Sequence, residues 1–293
     1  MEALWHGRLL LIFDSGRGPL CSEIQSVTNI LDDIIAEKRE EVHQRQSQVS
    51  LDELRARIVD KPRCRNFYKA VTKRHPRGLN VIAEVKKASP SAGLIREDFD
   101  PVAIATTYER CGADAISVLT DEKYFQGRLE YLEQVKEAVS VPVLRKDFII
   151  DAWQVYESRA AGADAILLIA EALRPGDLID LMIAAAELGL TVLLEVHEAD
   201  TLLAVRSLIG FPKKGYSVLG INNRDLATMK VDIRTTARLS TLLDEDGELV
   251  SESGIKTRAD VLKLKSIGVR AVLVGQTLCE HPNIEEKFRE LFD

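Results

Sequence analysis

The chain has 293 residues, 46% of them hydrophobic and 29% charged, with a net charge of −7, a globular balance that buries a sizeable core and excludes a disordered chain. No block of Lys and Arg is present to track a phosphate backbone, so nucleic acid is not an expected partner. The four cysteines, Cys21, Cys64, Cys111 and Cys279, lack Cys-x-x-Cys spacing, and no apolar run approaches the roughly 20 residues of a membrane-spanning helix. A reduced, cytoplasmic protein with no membrane contact is the expectation.

Residues 1–24 read as a mobile extension; the apolar patch at residues 9–13 is too short for a signal peptide core and is followed by Asp14, Gly16 and Arg17. Residues 25–293 read as one domain. Val27, Ile30, Leu31, Ile34 and Ile35 recur at helical spacing, with AEKREE following, and Ser50-Leu51-Asp52-Glu53 starts a second helix with a capping box that runs to about Val59. These two leading helices, over about 27–60, either cap the end of the domain or cover a substrate.

From about residue 80 to 293, short β-branched runs alternate with helical stretches, as βα units require. The runs are NVIAEV ending at Val85, DAISVLT at Thr120, VPVLRK at Lys146, DAILLIA at Ala170, TVLLEV at Val196, SVLGIN at Asn222, ELVSES at Ser253 and AVLVG at Gly275. CGADAISVLT and AGADAILLIA echo each other, and IGVRAVLVG repeats the design. Eight strands in about 210 residues predict an α/β fold, a (β/α)8 barrel of the TIM type behind an N-terminal helical extension, in preference to an open doubly wound sheet.

Barrels of this kind work at the C-terminal ends of their strands. There the sequence places Glu84 and Lys86, then Lys146 with Asp147, Glu195, Asn222 with Arg224, Glu252 with Ser253, and Gly275 with Gln276. Side chains alternate along a strand, so Ile82, Glu84 and Lys86 share one face, while Glu195 shares a face with Leu193. A single tip charge is ordinarily solvated, but five tips converging mark a functional mouth. SESGI and VGQTL put glycines where helices should begin, so their backbone N–H groups suit a phosphate; alternatively each glycine only makes a tight turn.

No Gly-x-Gly-x-x-Gly, Gly-Lys-Ser/Thr or His-Glu-x-x-His motif is present. Of the five histidines only His197 falls near the mouth, and it reads as a loop residue. Acid–base chemistry by Lys and Glu, with no metal and no cofactor, is what remains, acting on a small phosphorylated substrate.

VIAEVKKASPSAG, ISVLTDEKYFQG, VLRKDFIID, LLEVH, GINNRDL and VSESGI, in this order and together with RNFYKAV at 65–71, resemble the indole-3-glycerol phosphate synthase family of tryptophan biosynthesis, from about Thr28 onward. The resemblance implies a carbon–carbon lyase that closes an indole ring on 1-(2-carboxyphenylamino)-1-deoxyribulose 5-phosphate, releasing carbon dioxide and water. It further implies that Lys146 is the acid that polarises the ketone, with Lys86 engaging substrate charge. Glu195 is then the base for dehydration and Glu84 the assisting carboxylate. Ser89, Asn222, Arg224 and Glu252 would bind substrate, Phe125 and Phe148 would wall the anthranilate ring, and Ser253, Gly254, Gly275 and Gln276 would cradle the phosphate. Gln276 departs from the Glu or Ser of many relatives. The end at Asp293 leads us to expect no fused isomerase domain. A monomer or weak homo-oligomer, open to contact with other enzymes of the tryptophan pathway, completes the expectation. Two alternatives stay open: a Schiff-base aldolase-like barrel using Lys146 as nucleophile, and a non-catalytic barrel that binds a phosphate ligand.

Overall fold

The computed structural model describes residues 30–225, 228–243 and 248–293. The expected extension over 1–24 and Val27 lie outside them. Eight parallel strands close into a barrel: β1 (Asn80–Val85), β2 (Ala115–Leu119), β3 (Val143–Lys146), β4 (Ala165–Ile169), β5 (Thr191–Val196), β6 (Ser217–Asn222), β7 (Leu249–Glu252) and β8 (Ala271–Val274). Each pairs with its neighbours in sequence, and β1 closes the ring by pairing with both β2 and β8, Ile82 lying opposite Ala115 and Leu273. Alternation sorts the side chains as the face argument required. Ile82, Leu144, Leu193 and Val250 fill the barrel interior, whereas Val81, Ala83, Val85 and Ile116 point outward under the helices.

Four predicted strands end one residue early, each for a local reason. Thr120 turns aside, and its hydroxyl donates to Asp147; Ala170 opens a 3-10 turn over Ala170–Ala172. Ser253 has φ +65°, which no strand residue holds; Gly275 caps the next helix.

Both leading helices are present as α1 (Ile30–Gln48) and α2 (Leu51–Val59). Ser50 and Glu53 make the reciprocal capping box, Ser50 N–H donating to Glu53 Oε2 at 2.7 Å and Glu53 N–H to Ser50 Oγ at 3.2 Å. A third helix, α3 (Phe67–Thr72), precedes β1 and was not expected. Its Phe67 and Val71 are fully buried against the barrel interior, so RNFYKAV plugs the N-terminal end.

The internal echo has a physical basis at that same end. Asp114 accepts the Val81 N–H at 2.9 Å and pairs with Lys73 and Arg77. Asp164 accepts the Val143 N–H at 2.8 Å and pairs with Lys136. Each Gly-Ala-Asp thus ends a helix on a left-handed glycine, Gly112 or Gly162, and ties the incoming strand to a neighbour.

Candidate active site

The open C-terminal mouth holds two adjoining lobes. In one, Ile30, Leu31 and Ile34 of α1 form a roof over Phe125, Phe148 and the inner tips of β3, β5 and β6. The other, more polar, is bounded by Glu252, Ser253, Gly254, Lys256, Gly275 and Gln276. Glu84, Lys86, Lys146, Arg224 and Ser253 face both. All the site residues named from the sequence, including Ser89, Glu195 and Asn222, come together here. Lys256 was missed.

Why do charges tolerate this depth? Lys146 Nζ lies 3.2 Å from Glu195 Oε2 and 3.6 Å from Glu252 Oε2. Burial opposes the ammonium charge, but Glu195, Glu252 and Glu84 outweigh it and hold the lysine above its usual pKa. Lys86 pairs with Glu84 and stands 5.9 Å from the centre of the Phe125 ring. Glycines make room for the carboxylates: a Cβ on Gly275 would meet Glu84 Oε1 at 2.3 Å, and one on Gly220 would meet Glu252 Oε1 at 2.3 Å.

Two carboxyls face Lys146, and they differ in charge. Glu195 Oε1 accepts from Asn222 Nδ2 at 3.1 Å. Burial again works against its charge, but Lys146 and His197 hold it well below the usual glutamate range. Glu252 is pushed well up, by burial first and then by the Glu195 charge. Of the two, Glu195 therefore favours the ionised form and Glu252 the protonated one, and a proton on the pair belongs first to Glu252.

His197 lies in the loop just past β5, as the sequence reading had it, but its side chain turns inward to the site. Its side chain is only 6% exposed, with Nδ1 3.1 Å from Glu171 Oε2 and Nε2 3.3 Å from Glu195 Oε1. Two residues past Glu195, it keeps the inward parity of Leu193 and Glu195, a signal that the same alternation rule offered. Burial lowers its pKa, but the two carboxylates prevail and push it up to about 10. The sign follows: stability from this charge is present in full below the ordinary histidine value near 6.5 and is lost as pH rises through about 10. The urea midpoint of the wild type should fall more steeply from pH 7 to 10 than that of His197→Gln. Parallel slopes would show that the imidazolium stabilises nothing.

Other predicted residues have structural partners that sequence could not show. Asn222 is engaged within the protein, donating to Glu195 and accepting the Arg224 N–H at 3.0 Å. The Gln276 side chain donates to Glu280 Oε2 at 3.2 Å, leaving its backbone as the group at the polar lobe. Phe125 and Phe148 stack at 6.2 Å between centroids, and Phe148 both lines the cavity and joins the interior core. Ser253 and Gly254 are successive left-handed residues, with φ +65° and +80°. Such a turn is suited to gathering backbone N–H groups around an anion.

Lys38 of α1 was also missed. Its ammonium is 1% exposed and lies 2.9 Å from Asp121 Oδ2, 3.0 Å from Asp147 Oδ1 and 2.7 Å from Glu41 Oε2. Asp121 caps the short helix over Glu122–Phe125, which bears Phe125, and Asp147 lies between Lys146 and Phe148. One cation thus fastens the roof to two walls of the cavity.

Among the described residues, no helix is long and apolar enough to cross a membrane. The fold and mouth together define a parallel (β/α)8 barrel whose mouth gathers buried Lys and Glu side chains beside a left-handed Ser-Gly turn. A solved 3-hexulose-6-phosphate synthase from Salmonella typhimurium superposes with a TM-score of 0.57 at 13% identity, covering 73% of this chain and 96% of that one. That likeness shows the fold alone. The family model of indole-3-glycerol phosphate synthase matches residues 31–291. Proteins of that name are 51% identical over 263 residues in Geobacillus thermodenitrificans (90% of this chain, 96% of the relative) and 48% identical over 255 in Rhodopirellula baltica (87% and 95%). The chain belongs to the indole-3-glycerol phosphate synthase family.

Proposed function

We propose that this barrel closes the indole ring of 1-(2-carboxyphenylamino)-1-deoxyribulose 5-phosphate, with loss of carbon dioxide and water, through the residues gathered at its mouth. The carboxyphenyl ring sits under Leu31 and Ile34, against Phe125 and Phe148, and the phosphate takes the turn of Ser253 and Gly254 with the backbone of Gly275 and Gln276. Lys146 protonates the ketone oxygen as the aromatic carbon attacks, Lys86 engages substrate charge, and Glu84 holds Lys86. Decarboxylation restores the aromatic ring. Glu195 then removes the proton whose loss, with departure of the hydroxyl, completes the indole. Ser89, Arg224 and Glu252 line the path of the sugar chain, and the scattered cysteines suit a reducing, cytoplasmic setting.

The observation that carries this reading is the Lys146 ammonium held between Glu195 and Glu252. A Schiff-base lysine must be available unprotonated, and these carboxylates push the other way. The test mixes purified protein with the substrate, without metal or nucleotide, and follows indole fluorescence. A steady rise is expected; none from folded protein would reject the proposal. Ser253→Asp should raise KM at least about tenfold, because it sets like charge against the phosphate, with little change in kcat. An unchanged KM would reject the cradle.

A further inference from the structure

Glu195 and Glu252 are near equals in position, both 1% exposed and both facing Lys146. Only one can act as the ionised base, because two carboxylates sharing a buried site do not ionise together. Their partners break the tie. Glu195 receives Lys146 and Asn222, and Nε2 of His197 lies 3.3 Å from its Oε1. Neither oxygen of Glu252 accepts a hydrogen bond from any donor group among the described residues.

His197 is in turn held from behind. Glu171, in the 3-10 turn after β4, accepts the His197 backbone N–H at 2.8 Å through Oε1 and faces Nδ1 with Oε2. Both residues line a separate cavity that Glu195 does not reach, whereas Leu31 and Asn222 face both spaces and form the partition. The imidazole therefore crosses the wall behind the base and touches no substrate. With Glu171 beside one ring nitrogen and Glu195 Oε1 3.3 Å from the other, the imidazolium form sets its positive charge between two carboxylates.

We propose that the Glu171–His197 pair is a positioning device that selects Glu195, and not Glu252, as the ionised base, leaving Glu252 a neutral O–H donor at the polar lobe. This rests on the assignment of Glu195 as the base. The charged groups around the selected carboxyl are Lys146 from β3, Glu171 and His197 behind it, Glu252 from β7 and Glu84 from β1. Of these two cations, Lys146 approaches both carboxyls, whereas the His197 contact is with Glu195.

The test is the acidic limb of the kcat–pH profile. Catalysis needs ionised Glu195, so kcat falls as pH drops through its pKa, and losing the cation moves that limb to higher pH. His197→Gln, which keeps a donor but not the charge, should shift it upward by about one unit, since an opposite charge at this range moves a carboxyl by roughly 1–3 units. KM should stay within about twofold. Glu171→Gln should shift the limb the same way by less, and it supplies the measurement should His197→Gln fail to fold. Adding Glu252→Gln to His197→Gln removes the competing carboxyl and should return the limb toward its wild-type position, whatever happens to the plateau. An unmoved limb in both single variants would overturn the proposal, as would a shift that Glu252→Gln leaves uncorrected. Wild-type turnover by Glu195→Gln would instead overturn the base assignment, so the two failures are distinguishable.

Discussion

Lys146→Ala and Glu195→Gln should each lower kcat by about 10² to 10⁴-fold while leaving the fold intact, the range that a positioned acid or base contributes. Neither change opens the barrel. Without Lys146, Glu195 still has Asn222 and His197, and burial and the Glu195 charge already favour the protonated form of Glu252, so no buried carboxylate is stranded. KM should change less than kcat, since the lost interaction belongs to the transition state. In the wild type the acid remains protonated above the ordinary lysine pKa, because the surrounding carboxylates outweigh burial; the alkaline limb from Lys146 should therefore lie above that value. Steady-state kinetics with circular dichroism on each variant checks this. Turnover near the wild-type rate in either would reject the role given to that residue.

Much of the site was legible because barrel geometry turns strand parity into location. Once Ile82, Glu84 and Lys86 share a face, the closing of the sheet sends that face inward, and the same rule places Lys146 and Glu195 without any knowledge of loops. The short polar spacing of SESG and VGQ similarly located the second lobe. Residues escaped where the rule was stopped too soon or overruled by composition. His197 obeys the same alternation as Glu195 but lies past Val196, the last residue of its strand, where a loop begins. Lys38 lies in the charged tract AEKREE, which reads as solvated. Yet it falls on the buried stripe of α1 with Leu31, Ile34, Ile35 and Val42, at helical spacing. Its partners, Asp121 and Asp147, follow β2 and β3, about 80 to 110 residues later. No local pattern carries such a pairing. The α3 plug was hidden for a different reason: at six residues it is too short to show periodicity.

Lys38→Met should destabilise the protein by about 3–5 kcal/mol, the usual cost of stranding a buried charge by removing its partner. Asp121 and Asp147 are 2% and 1% exposed in their side chains, so water does not replace the ammonium. Their responses should differ. Asp147 keeps Arg145 at 2.9 Å and Thr120 Oγ1 at 2.5 Å, partners that help hold it well below the usual aspartate range despite its burial. Among the described residues Asp121 is then left with only the Tyr124 N–H, at 2.8 Å, and burial already raises its pKa. Asp121 thus carries most of the cost. Adding Asp121→Asn to Lys38→Met should then recover a large part of the loss, because asparagine caps a helix about as well as aspartate and carries no charge. Function should respond as well: α1 would be released from the turns that place Phe125 and Phe148, and KM should rise even where the protein remains folded. Urea denaturation of the single and double variants, with KM measured on each, tests the whole scheme. If Lys38→Met unfolds at the wild-type midpoint and binds substrate as tightly, the buried ammonium neither holds the roof nor shapes the cavity beneath it.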